Sequence, residues 1–529
     1  MTNRYISSIS LSILLLFMQG CHEPLSQKPH TFQTTVTKLP SKKAPLLKYL
    51  EKTDKPIKEH SAFYPLPRPD DAFAARLFLI DHATTSLDVQ YYIYENDLMG
   101  IVFSDHLYMA AQRGVKVRIL LDDISTAGKD DALALLAFHP NIELRLFNPN
   151  RLRKSFRNLA LLLDVNTLGK RMHNKALVAD GSAAVVGGRN IGDVYFTPHS
   201  DTLFIDYDIL CTGSIVPEIY RSFDLYWNSE QSVPSENILY VNDEKTRQTY
   251  EKEKQILHAS LKSFHQTTIG QNLAKAPFNR KLQHNTLVMT VAKEAYLYYD
   301  HPNKVITDER NTKYHISSQI NQDLTKVKKE LLLVSPYFIP SEHMMQKFRE
   351  LRRRNVKITV ITNSLSSTDV FPVYGGYSSY IEPLVKMGVD LYELKPNSLD
   401  SYIQKAKLTK AFRTSLHTKM IIIDRKRLII GSANIDPRSD KLNTEIVMVI
   451  QSKKLAGAQY ESLKKMINPD LLYHISWGAD PSDEDQLEGP VSESMKNGKR
   501  KIYYYPPDAA LWKRLGADII SILPVKGYL

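Results

Sequence analysis

Only two cysteines occur in the 529 residues, Cys21 and Cys211. A small scaffold held together by disulfides is excluded on that count. Long hydrophobic runs are scarce too. The apolar run from Ile9 to Met18, after a polar start whose one cation is Arg4, is too short to cross a bilayer comfortably. It has the shape of a secretory signal. Acidic charge is in deficit: 69 Lys and Arg against 57 Asp and Glu leave a net charge of +12. Such an excess fits anionic lipid surfaces or nucleic acid and does not choose between them. Clusters such as Arg352-Arg353-Arg354 read as solvated faces.

What the chain does have is one pattern written twice. Met172-His173-Asn174-Lys175-Ala176-Leu177-Val178-Ala179-Asp180 is followed by Gly187-Gly188-Arg189-Asn190. Leu416-His417-Thr418-Lys419-Met420-Ile421-Ile422-Ile423-Asp424 is followed by Gly431-Ser432-Ala433-Asn434. In each copy Lys follows His by two positions and Asp follows Lys by five, and the small pair and the Asn recur at fixed offsets. A repeat this long signals a duplicated unit. Each copy reads as a doubly buried strand entering a Gly-containing turn, with His and Lys on one face.

Two His and two Lys meeting at a pseudo-twofold interface suit a phosphodiester. A neutral imidazole attacks phosphorus and forms a phosphohistidine, and a protonated one donates to the departing oxygen. Imidazole serves both roles because its ordinary pKa, about 6.5, lies near neutrality. Lys175, Lys419 and the side chains of Asn190 and Asn434 would hold the non-bridging oxygens. The scheme calls for no metal and no cofactor. Gln90, on the strand face of Asp88 and Tyr92, is a further substrate-binding candidate, with an ordinary polar strand residue as the alternative. Asp180, Asp424, Gly188 and Ser432 read as structural parts of the motif, the two Asp pairing locally.

At these residues the chain resembles the phospholipase D superfamily, whose HxKxxxxD motif occurs twice in its two-lobed members, and more narrowly the type C cardiolipin synthases of bacteria and related lipoproteins. Asp88-Val89-Gln90-Tyr91-Tyr92-Ile93, Leu120-Leu121-Asp122-Asp123, Ser335-Pro336-Tyr337-Phe338 and Asn363-Ser364-Leu365 support the resemblance. It implies two tandem α/β lobes, each a mixed sheet flanked by helices, with the active site at their interface. It also implies His173 as nucleophile and His417 as general acid. Laying Leu203–Leu210 on Asn443–Val447 sets Asp208 opposite Glu445. The resemblance implies that such carboxylates fix the His tautomers, with Asp206 competing with Asp208.

Three activities fit: a phosphatidyltransferase making cardiolipin, a phospholipase D, and a metal-independent nuclease. The resemblance favours the first, with phosphatidylglycerol and possibly phosphatidylethanolamine as substrates, at a membrane surface. Nucleic acid is the disfavoured partner. Gly20-Cys21 resembles a bacterial lipoprotein cleavage site, which implies lipidation of Cys21 and a cell-envelope location. Plain secretion and a retained anchor are the alternatives.

The expected organisation is a signal over 1–21, a flexible tether over 22–60, lobes over 61–228 and 305–468, and a linker over 229–304. A tail over 469–529 follows, charged and disordered-looking at first. It ends in an amphipathic helix with Leu511, Leu515, Ile519 and Leu523 on one stripe and Trp512 beside it. Docking on the catalytic body and resting on a membrane are its two readings. Tyr374, Tyr377 and Tyr380 border a lipid cleft or pack in the core. The alternation of strand and helix patterns predicts a largely parallel sheet in each lobe.

Overall fold

The computed structural model describes residues 44–57, 59–150, 169–197, 202–239, 264–398, 413–479, 488–496 and 499–522, with 248, 252 and 255. The signal, Cys21 and most of the tether lie outside the described residues.

The first lobe is built on β1 (Ser61–Leu66), β2 (Ser86–Tyr91), β3 (Lys116–Asp122), β4 (Ile142–Phe147), β5 (Ala176–Ala179) and β6 (Ala183–Gly187). Next come β7 (Thr202–Ile205), β8 (Asp208–Gly213), β9 (Ser232–Pro234), β10 (Thr290–Ala292) and β11 (Glu294–Tyr299). The second lobe adds β12 (Glu330–Val334), β13 (Lys357–Asn363), β14 (Asp390–Leu394), β15 (Arg413–Leu416), β16 (Met420–Ile423), β17 (Arg427–Gly431) and β18 (Ile446–Gln451). The tail supplies β19 (Leu472–Ala479), β20 (Glu488–Lys496) and β21 (Lys499–Tyr503).

One sheet has the order β10-β1-β8-β6-β5-β2-β3-β4-β9 and the other β11-β18-β17-β16-β12-β13-β14-β19-β20-β21. The run β1-β8-β6-β5-β2-β3-β4 therefore repeats as β11-β18-β17-β16-β12-β13-β14. Within each run only three strands are parallel: β2, β3 and β4 in one, β12, β13 and β14 in the other. Each motif strand joins antiparallel to the first of these. The sheets are thus mixed rather than largely parallel, because a short turn returns each motif strand directly as a hairpin.

Alternation in the motif strands decides the layering. Ala176, Val178, Ala184 and Val186 face one core with Met420, Ile422, Leu428 and Ile430, so the two sheets share their inner faces. Leu177, Ala179, Ala183 and Val185 point instead to the outer core of the first lobe, packed with helices α1 (Pro69–His82) and α2 (Leu98–Gln112). Helix α3 (Val216–Trp227) lines the shared core. Ile421, Ile423 and Ile429 face the outer core of the second lobe, where α4 (Phe371–Lys386) lies. Helix α5 (Lys453–Met466) joins the shared core. Tyr374 and Tyr377 of α4 are buried in the outer core, so packing, not a lipid cleft, accounts for them.

Three expected boundaries shift. Leu46 and Leu50 are buried, so the body starts inside the supposed tether; two leucines suffice to dock a short turn. The 229–304 stretch contributes β9 and β10 to one sheet and β11 to the other, and is more than a linker. Its strands are short and polar-flanked, which hid them. The charged stretch near 488–503 is an edge hairpin, not a disordered segment. Exposed cations on an edge strand are a known guard against edge-to-edge pairing. The last helix, α6 (Leu511–Ile522), docks on α4; Leu523 lies outside the described residues.

Asp180 and Asp424 are structural, but their partners are distant. Asp180 accepts from the backbone N–H groups of Thr84, Thr85 and Ser86 and from both Thr hydroxyls. Asp424 accepts from the N–H groups of Lys328, Lys329 and Glu330. Both have positive φ, 50° and 51°, a conformation Asp tolerates better than most side chains. Each thereby clamps the start of the strand beside its own motif strand. Asp180→Ala strands several donors at a buried site and is expected to cost roughly 2–5 kcal/mol, read as a lower urea midpoint. An unchanged midpoint would remove the clamp from the account.

Candidate active site

The two His are set in place by backbone pairing between lobes. β15 runs parallel to β7, with Leu416 opposite Ile205, and Met172 forms the matching bridge to Thr444. The His417 N–H donates to the Ile205 carbonyl at 2.8 Å and the His173 N–H to the Thr444 carbonyl at 2.9 Å. The residue after each of those carbonyls is acidic. Each imidazole therefore meets the carboxylate of the opposite lobe.

His173 Nδ1 lies 3.0 and 2.9 Å from the Glu445 oxygens. His417 Nδ1 lies 2.6 Å from Asp206 Oδ2. With Nδ1 held as the donor, Nε2 of each ring is left for chemistry. Asp206, not Asp208, is the counterpart of Glu445. The registers say why: Gly187 pairs with Asp208 and Gly431 with Val447, and two residues back stand Asp206 and Glu445. Asp208 accepts from Arg76 and Arg189 at 2.9 and 3.1 Å and anchors the first lobe.

The small residues are matched to these carboxylates. A Cβ on Gly188 would come within 2.2 Å of Asp206 Oδ1. Its counterpart Ser432 instead donates to Glu445 Oε2 at 2.5 Å, and Ser439 to Oε1 at 2.7 Å. Asp122 at the end of β3 accepts from the Met172 N–H at 2.8 Å, and Asn363 at the end of β13 from the Leu416 N–H at 2.8 Å. The residue ahead of each His is therefore pinned from the adjacent strand.

Lys175 donates to the His173 carbonyl at 2.6 Å and Lys419 to the His417 carbonyl at 2.5 Å. An ammonium has three donors, so each keeps capacity for another acceptor. His and Lys stand just ahead of the motif strands rather than within them. Asn190 is spent on the Ile93 N–H and the Tyr195 hydroxyl, and Gln90 donates to the Met172 sulfur. Both groups brace the chain beside the site. The Asn434 side-chain oxygen is buried without a partner.

The electrostatics separate the two His. Burial, then Lys175 and Lys419, drives His173 well below its ordinary pKa. Burial also lowers His417, but Asp206 opposes the shift. Burial pushes Glu445 up to about 7. Asp206 ends below the ordinary value because His417, Lys419 and Arg189 outweigh its burial. Burial depresses Lys175 strongly and takes Lys419 down to about 8. The pocket is poised for a ligand that brings negative charge.

Sequence reasoning passed over Asp122, Asn363 and Ser439 as site residues. The first two end strands inside stretches quoted for the resemblance; Ser439 falls in a segment, 436–439, that the first copy does not repeat.

A model described as "Cardiolipin synthase, PLD-like domain" matches residues 77–227 and 320–467. Cardiolipin synthase C of Escherichia coli (strain K12) is 36% identical over 473 residues, spanning 88% of this chain and 96% of its own. The chain belongs to the cardiolipin synthase family with its repeated phospholipase D-like domain. It is an enzyme of that superfamily. Cardiolipin synthase B of Salmonella typhimurium (strain LT2) is 23% identical over 406 residues, covering 77% of this chain and 80% of its own. Among solved structures, phosphatidylserine synthase from Haemophilus influenzae Rd KW20 shares the fold. Its TM-score is 0.51 at 12% identity, covering 81% of this chain and 91% of that one.

Two neighbouring carboxylates thus have opposite fates on substitution. Asp206→Asn is expected to leave the melting temperature in place and reduce kcat on the order of a thousandfold, as loss of a tautomer-fixing carboxylate does. Asp208→Asn leaves Arg76 and Arg189 buried without the carboxylate they share and is expected to cost about 3–5 kcal/mol of stability. Paired melting curves and turnover assays read both; the reverse pattern would restore Asp208 as the partner of His417.

Proposed function

We propose that the protein joins phospholipids into cardiolipin through a covalent phosphohistidine. It is a phosphatidyltransferase of the phospholipase D superfamily. The observation that carries the proposal is the crossed pairing of His173 with Glu445 and His417 with Asp206. It leaves two imidazole Nε2 atoms and two ammonium groups at one lobe interface.

In the first step Nε2 of neutral His173 attacks the phosphorus of phosphatidylglycerol. The bond from phosphorus to the head-group glycerol breaks as His417 gives that oxygen its proton, and glycerol departs. The new N–P bond places positive charge on the ring, which Glu445 balances through Nδ1–H. Lys175 and Lys419 hold the non-bridging oxygens as charge builds there. In the second step the glycerol hydroxyl of another phosphatidylglycerol loses its proton to His417. Its oxygen bonds phosphorus, the N–P bond breaks, and His173 is restored. The assignment of roles follows the electrostatics: the more strongly depressed imidazole is the neutral one, and anionic Asp206 offsets part of the lowering that burial imposes on His417.

The acting location is a membrane surface of the bacterial cell envelope, reached through lipidated Cys21. No helix among the described residues is long and apolar enough to cross a membrane.

Product analysis tests this reading. Protein incubated with phosphatidylglycerol micelles, with and without phosphatidylethanolamine, is expected to yield cardiolipin that disappears in His173→Ala. Phosphatidic acid as sole product would make the enzyme a hydrolase, and metal-independent DNA cleavage without lipid turnover a nuclease.

The pH dependence has a definite sign. His417 must carry its proton, and burial holds it below its ordinary value, so the first decline of kcat/KM should begin there. Lys419, lowered by burial to about 8, loses its positive charge as pH rises through that value and adds a second decline. The acid limb should lie well below the ordinary imidazole range, because His173 stays neutral there. A profile with no second decline near the Lys419 value would take the ammonium out of substrate binding.

A further inference from the structure

Helix α6 presents its apolar side to solvent. Leu511 is 69% exposed, Trp512 61%, Leu515 55%, Ile519 57% and Ile522 82%. At helical spacing these residues fall within one sector. The opposite side is the docked one. Ala517 is buried, and a Cβ on Gly375 of α4 would meet the Ala517 carbonyl at 2.8 Å and Ile520 at 2.9 Å. A close fit of small residues thus holds the helix with its large side chains outward. Single exposed apolar residues are ordinary; a contiguous row of five on a firmly docked helix marks an interaction surface.

Two observations say what it meets. The first is charge. Lys513 and Arg514 flank the row, with Asp518 as the one acid on the helix, and the exposed Lys499, Arg500 and Lys501 stand on the preceding strand β21. Apolar side chains bordered by cations and including a Trp suit the interface of an anionic bilayer. The second is continuity with the active site. The Trp512 ring packs edge-on against Phe371 at 5.5 Å. Two residues before Phe371, Asp369 accepts from the Tyr337 hydroxyl at 2.8 Å and acts electrostatically on Lys419. A short stretch of chain, with the exposed Val370 in it, connects the row to the catalytic interface.

We propose that the Leu511, Trp512, Leu515, Ile519 and Ile522 face seats in the interfacial layer of an anionic phospholipid bilayer and holds the neighbouring catalytic interface against its substrate pool. The proposal rests on the reading of the protein as a phospholipid-transforming enzyme. Docking through α6 is separate from any attachment at the N-terminus, so the test reads α6 locally.

Trp512 is the probe: Trp227 is fully buried, and the signal of the half-buried Trp477 cancels when the Trp512→Phe variant is subtracted. Full-length protein and its Trp512→Phe variant are mixed with vesicles of phosphatidylglycerol and phosphatidylethanolamine carrying brominated acyl chains, and with matched phosphatidylcholine vesicles. The emission difference between the two proteins should be quenched by the anionic vesicles and far less by phosphatidylcholine. Leu515→Glu/Ile519→Glu, with Trp512 retained, should weaken that quenching roughly tenfold or more in lipid concentration, since two large apolar side chains no longer bury. The same variant should turn over monomeric short-chain phosphatidylglycerol at the wild-type rate. Absence of Trp512-dependent quenching while the protein co-floats with the vesicles would overturn the proposal. So would burial of Trp512 in a lipid-free, concentration-dependent dimer, which would assign the face to a second copy. Quenching without turnover of any lipid would keep the docking face and remove the catalytic reading.

Discussion

Each motif imidazole is positioned by a hydrogen bond from its own backbone to the opposite lobe. The His173 and His417 N–H groups donate to the carbonyls of Thr444 and Ile205, and the next residues, Glu445 and Asp206, supply the carboxylates. Neither lobe carries a complete acid–base pair by itself. The shared core under the motif strands, where Val178 and Val186 meet Met420 and Ile430, keeps these crossed contacts in register. Close packing on both sides of a strand leaves little room for a shift, so the geometry of the site depends on an interface that is itself a hydrophobic core.

The cost of such a site is electrostatic. Two ammonium groups and two imidazoles are buried together, and desolvation lowers all four. The nearby carboxylates answer unequally: Asp206 stays anionic beside His417, while Glu445 is pushed up to about 7. A phosphodiester brings the missing negative charge and favours the protonated form of both Lys. Substrate binding and charging of the site are then one event. The same inequality breaks the pseudosymmetry and sets the two His apart electrostatically.

Much of this was legible in the chain. The duplicated spacing gave the lobes, the His and Lys pairs, and the interface between them, because a repeat of that length leaves few alternatives. The choice between Asp206 and Asp208 was not legible. A shift of two residues keeps a side chain on the same face of a strand, so alternation cannot separate them, and only the pairing of Gly187 with Asp208 does. Gln90 and Asn190 looked like ligands for a related reason: polarity near a motif does not say whether a group faces substrate or braces the backbone. The tail strands carried cations where apolar alternation was the cue, and so were missed.

In the proposed reaction two imidazoles, each held by the other lobe's carboxylate, pass a phosphatidyl group through one of them. Rapid quenching of the protein during turnover of phosphatidylglycerol, followed by peptide mass analysis, tests it most directly. The account predicts an acid-labile phosphatidyl adduct on His173, with none on His417. Turnover at full rate with no adduct on either His, or an adduct on His417 alone, would contradict it.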